Sequence, residues 1–153
     1  MKPIQKRMRR NTRREKGQAV VELALVLPIV LMLLLGIVQF GMLFKDYIAL
    51  TDATRAAARQ GSVARSLQPA STREPSVVSR AQTAGVNLDP AKMTITVELR
   101  DTNGALMTPN TADSSWVKSG DVTVRTSYPF KVKLLGLVLF TGALQSRTTE
   151  RIE

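Results

Sequence analysis

The sequence predicts an α+β protein: one long N-terminal helix that enters a membrane and continues into a small domain with a mostly antiparallel sheet. Three observations predict it. An almost unbroken apolar run occupies Ala19–Phe44. Helical spacing of small residues continues behind it to about Gln60. Two segments with strict two-residue alternation then follow, Met93–Arg100 and Val122–Lys133. Three parts result: a basic cytoplasmic leader over 1–17, a transmembrane helix over 18–44, and an extracytoplasmic α+β domain over 45–153.

The charge is concentrated at the start. The chain of 153 residues carries a net +10. Residues 1–16 hold eight Lys and Arg against the single acid Glu15, a net +7, which leaves +3 for everything after them. Such a cluster ahead of an apolar run holds its end in the cytoplasm against anionic lipid. It has no aromatic side chains for stacking on bases, so no nucleic-acid partner is expected.

At about 1.5 Å per residue, Ala19–Phe44 reaches roughly 39 Å as a helix, more than the ~30 Å hydrocarbon core. The run is too long for a signal-peptide core, and Lys45-Asp46-Tyr47 after it is a poor cleavage site. It reads as an anchor, with the N-terminus inside and the C-terminal domain outside a bacterial cytoplasmic (inner) membrane. Pro28 removes one backbone donor and is expected to kink the helix. Gly36 and Gly41 are five apart and do not form a GxxxG pair.

Glu22 is the anomaly in this run. A carboxylate at the centre of a membrane helix costs about 2.5–3.5 kcal/mol. Either Glu22 lies shallow and hydrated, or it meets a cation inside an assembly. The residues around it, Lys16-Gly17-Gln18-Ala19-Val20-Val21-Glu22-Leu23, resemble the processing site of the type IV prepilins. That resemblance implies cleavage after Gly17 by a membrane peptidase, Gln18 as the new N-terminus, and Glu22 as the fifth mature residue. The chemistry is coherent: cleavage removes the basic leader and leaves an α-amino cation that a neighbour's Glu22 can neutralise. Leu23 stands where many pilins have Phe.

The likeness extends further. Gly17 through Pro28, then Gly36-Ile37-Val38-Gln39-Phe40-Gly41, then Leu50 through Arg59 resemble the TadE-like family, over roughly residues 16–60. This resemblance implies a pilin-like fold and a pseudopilin of the tight-adherence (Flp pilus) system, made in the inner membrane. Its implied partners are a prepilin peptidase, other pilins and pseudopilins, the pilus assembly platform and membrane lipid. The alternative is an uncleaved, membrane-anchored binding module of the cell envelope. An enzyme is not expected. The chain has no Cys or His, which removes thiol chemistry, the Ser-His-Asp triad and most metal sites, and it shows no phosphate-binding loop. No cofactor or metal is expected.

Beyond the span, Tyr47, Ile48, Leu50, Ala53, Ala57 and Ala58 are placed near one helix face, and Arg55 and Arg59 on another, as a solvated face or a subunit contact. Gly61 is the predicted stop. Residues 62–75 read as a loop, and a short helix from Glu74-Pro75 to Ala84 follows, closed by Gly85. Met93–Arg100 is a strand, and Asp101–Gly104 a turn. Residues 108–120 read as a loop whose Trp116 is either a core plug, which its size favours, or an exposed contact. In Val122–Lys133, the residues Val122, Val124, Tyr128, Phe130 and Val132 share a face, and Pro129 marks an edge or a bend. The apolar run Leu134–Phe140 is too short to span; it is either buried or rests on the membrane beside Lys131 and Lys133. Ala143–Ile152 is the last strand.

Overall fold

The computed structural model describes residues 12–107, 116–134 and 136–153, with the backbone alone for 12–16 and 134. The first part of the leader, residues 108–115 of the expected loop and Leu135 lie outside the described residues. The chain divides between Val38 and Gln39 into two units. The first is helical as far as it is described. The second holds the remaining helix turns, a second helix and the sheet.

Helix α1 runs Thr12–Val63 with Pro28 inside it. It begins within the leader, earlier than the apolar run, because nothing in Thr12–Gln18 breaks a helix once a long one follows. It also passes Gly61 instead of stopping there. A methyl group at Gly61 would stand 2.9 Å from Val122 Cγ2, so this glycine serves a close approach of helix to sheet and not a helix end. The polypeptide then tightens through a 3₁₀ turn, Ala64–Ser66, and a second one, Ala70–Thr72, before α2, Arg73–Ala84. Gly85 caps α2 by donating its amide to the Ala81 carbonyl.

Four strands form one antiparallel sheet in the order β2-β1-β3-β4: β1 Thr94–Arg100, β2 Leu106–Met107, β3 Asp121–Leu134 and β4 Leu137–Arg151. The β1–β2 turn is built on Asp101, whose Oδ1 accepts from the amides of Asn103 (2.8 Å) and Ala105 (2.9 Å), while Gly104 takes a φ of +81°. β3 pairs with β1 only from Asp121 to Ser127 and with β4 along its whole length. Pro129 sits just past the end of β1, where one side of β3 has no partner strand. Its missing amide donor therefore breaks no ladder bond on that side.

The core gathers Leu50, Ala53, Ala57 and Ala58 of α1, Val77 and Ala81 of α2, Val97, Leu99, Val122 and Val124 of the sheet, and Trp116 and Ile152. Trp116 is buried, so it plugs the core. Thr54 is also fully buried; its hydroxyl bonds the Leu50 carbonyl and the Thr126 hydroxyl, which satisfies two polar groups that would otherwise be stranded. Tyr47 and Ile48, grouped by spacing near one face with Leu50, Ala53, Ala57 and Ala58, are exposed while those four are buried. Ile48 precedes Leu50 by two residues, roughly 200° around the helix, and so points away from the sheet. At the far end, the Glu153 amide donates to the Ser62 carbonyl (3.0 Å) and fastens the C-terminus to α1.

Candidate assembly site and membrane span

The candidate span is the apolar first half of α1. Its side chains from Val20 to Phe44 stand open, with Leu25, Leu33 and Phe44 each more than three-fifths exposed. Within its most apolar stretch no residue is buried inside the protein. A soluble core helix would hide such a surface; a helix solvated by lipid does not need to. A single long apolar helix of this kind is consistent with one membrane crossing.

Glu22 lies on this exposed surface, one turn beyond Gln18 on the same side of the helix. The positions that could offer it an intrahelical cation are Gln18, Ala19, Leu25 and Val26, and none is charged. The ion pairs within the chain, among the described residues, are Asp89–Lys92 (2.8 Å) and Glu98–Arg125 (2.9 Å), both in the second unit. Glu22 therefore has no cationic partner among the described residues of its own chain.

Gly17 sits inside α1 with open space where a side chain would go. A glycine within a helix costs about 1 kcal/mol relative to alanine. At Gly61 close packing against Val122 offsets that cost; at Gly17 no contact among the described residues does. Pro28 leaves the Ala24 carbonyl without its amide donor while the helix continues past it.

A family model for TadE-like proteins matches residues 17–59. Residues 17–59 are thus TadE-like in sequence. The match starts on Gly17, takes in Glu22 and the apolar run, and ends at Arg59, before the sheet begins. TadE-like proteins are structural components associated with Tad pili, so the match points to a pilus-associated part and gives no ground for an enzyme. No curated protein and no solved structure matches the chain.

The TadE-like segment also carries Arg55 and Arg59, both exposed, which line a shallow basic hollow with Arg80 of α2. Two features escaped the sequence reading. Arg73, expected in an Arg-rich loop, is buried at the start of α2, and its Nε donates to the Leu67 carbonyl (3.1 Å), tying down the 3₁₀ segment. The Thr54–Thr126 pair joins residues far apart in sequence, and no local pattern announces it.

Proposed function

We propose that this chain is a pseudopilin-like structural component of a Flp/tight-adherence pilus assembly or secretion system. It sits in the inner membrane with its N-terminus in the cytoplasm and its sheet domain outside. A prepilin peptidase cuts between Gly17 and Gln18. The new amine of Gln18 is then neutralised by Glu22 of a neighbouring subunit, and the other pilins and the assembly platform are its partners. Pro28 serves as the bending point of the span.

The observation that carries this reading is the conjunction of Gly17 and Glu22 inside the matched segment. Glu22 is an exposed carboxylate on an apolar helix with no cationic partner among the described residues. An isolated charge in such a setting is costly, and pairing it across an assembly removes the cost. Gly17 is a helix glycine for which the described chain supplies no packing reason. Helix opening is easiest at glycine, which is where a peptidase must reach the backbone. The basic leader supports the orientation.

The test is the intact mass of the membrane-extracted protein, from cells with and without the peptidase. The expected result is a start at Gln18 that depends on the peptidase. A full leader in both samples refutes processing and leaves an uncleaved anchored module of the cell envelope.

A further inference from the structure

The second unit has two very different ends. At one end the β1–β2 turn shows water Asp101, Thr102 and Asn103, closed by the Asp101 hydrogen bonds. At the other, the β3–β4 hairpin shows Leu137, Val138, Leu139 and Phe140, exposed by 70%, 52%, 62% and 61%. These four are consecutive. A ribbon half-packed on a core alternates apolar and polar residues; this one is apolar on both faces. The described part of the apolar run, Leu137–Phe140, is thus not buried in the domain.

Position gives this tip an occupant. β3 runs antiparallel to α1: Val122 meets Gly61, Thr126 bonds Thr54, and Phe130 and Val132 flank a groove with Gln39 and Leu43. The tip therefore continues toward the end of the unit where the helix turns apolar, at Phe40–Phe44. Lys131 and Lys133, both exposed, stand just behind the tip, and Lys92 lines the same groove. The acid among the described groove residues, Asp46, is half-buried. An apolar tip with a collar of lysines matches an anionic bilayer surface, with acyl chains below and phosphates at the collar. The ribbon is also held in shape for this. A register shift at Val132/Lys133 bends it, Gly136 turns it at a φ of +85°, and the Phe130 ring lies over Gly142 and against Phe140 (5.7 Å between centroids).

We propose that the β3–β4 hairpin is a second membrane contact: Leu137–Phe140 insert into the interface of an anionic bilayer while Lys131 and Lys133 bind its headgroups. This rests on reading Ala19–Phe44 as a membrane span, and the experiment separates the two. The chain has no Cys, so single-cysteine labels are clean. Full-length protein carrying an environment-sensitive fluorophore at Leu139→Cys, Thr102→Cys or Leu33→Cys is reconstituted in phosphatidylcholine/phosphatidylglycerol vesicles with an acyl-chain quencher in both leaflets. Trp116 emission verifies the folded core in each, and Leu137→Cys repeats the tip reading.

The expected result is several-fold stronger quenching at Leu139 and Leu33 than at Thr102. In Lys131→Gln/Lys133→Gln, the docked-to-undocked ratio falls about fivefold per lysine. Quenching at Leu33 with Leu139 as dark to the lipid quencher as Thr102 overturns the hairpin contact alone. No quenching at Leu33 overturns the span, and the contact with it. Shielding at Leu139 that grows with protein density while the lipid quencher stays without effect assigns the tip to a second copy, and also overturns the proposal.

Discussion

The two halves of α1 invert the usual relation between side-chain size and burial. From Val20 to Phe44 the large residues Leu, Ile, Met and Phe are exposed, apart from the half-buried Leu43. From Leu50 to Gly61 the buried residues are mostly small: Ala53, Thr54, Ala57, Ala58 and Gly61. In water such a first half would be an aggregation surface far above the few hundred Å² a monomer shows. In lipid it costs nothing, because acyl chains replace the missing protein contacts. The second half needs small residues for another reason. β3 comes so close to the helix at Val122 that even a methyl at Gly61 would crowd it. With the first half read as a span, one continuous helix answers to two solvents, and mutations in its halves should fail in different assays.

Trp116→Ala should have the largest effect and be confined to the second solvent. Emptying that buried site costs about 3–5 kcal/mol of domain stability. Circular dichroism in micelles reads the loss, and resistance to alkaline extraction from membranes stays unchanged. Leu33→Arg should do the reverse. It adds about 3–4 kcal/mol to the insertion cost of the span, read with a glycosylation-site insertion reporter, and leaves Trp116 emission in its buried state. A shift of that emission by Leu33→Arg would break the comparison. Ala57→Leu comes next, at about 1–3 kcal/mol, from overfilling a fully buried position; urea unfolding followed by Trp116 emission measures it.

The smallest effect concerns pH and touches only the second unit. Asp89 is held below its ordinary value of 3.8 by hydrogen bonding to Lys92 and by the Ala91 amide. Its contribution is present above that unfolded value and is lost as pH falls through the lower folded one. Lys92 is raised above 10.5 by the same partner, so its contribution is full below that value and fades as pH rises through the folded one. Asp89→Asn should flatten both limbs of a melting-temperature profile while alkaline-extraction resistance of the anchor stays as in the parent.

Much of this was legible in sequence because it is local. The span follows from one apolar run, β1 and β3 from two-residue alternation, and α2 from Pro75 near its start. The likeness around Gly17 and Glu22 is local too, and the TadE-like family match takes in both residues. What was missed depends on distant neighbours. Gly61 carries the signature of a helix stop, and only the approach of Val122 shows its other use. Tyr47 follows the helical spacing of the core, yet is left exposed. Leu134–Phe140 gave a composition without a partner. Its pairing with the end of β3 needs Gly136 as a turn, and no Asn-Gly signal stands there. The candidate site has a similar limit: the proposed cation for Glu22 is an amine of a neighbouring subunit, and no pattern within one chain can place it.

The extension of β3 past β1 has a consequence for dynamics. From Tyr128 to Leu134 the ribbon is two strands wide, and two-stranded ribbons are marginal by themselves. Its amides can open without disturbing Leu99, Val122 or Trp116. Hydrogen exchange should therefore rank this ribbon among the first segments to exchange and the Asp121–Ser127 ladder among the last, a division of the sheet into a soft limb and a rigid palm.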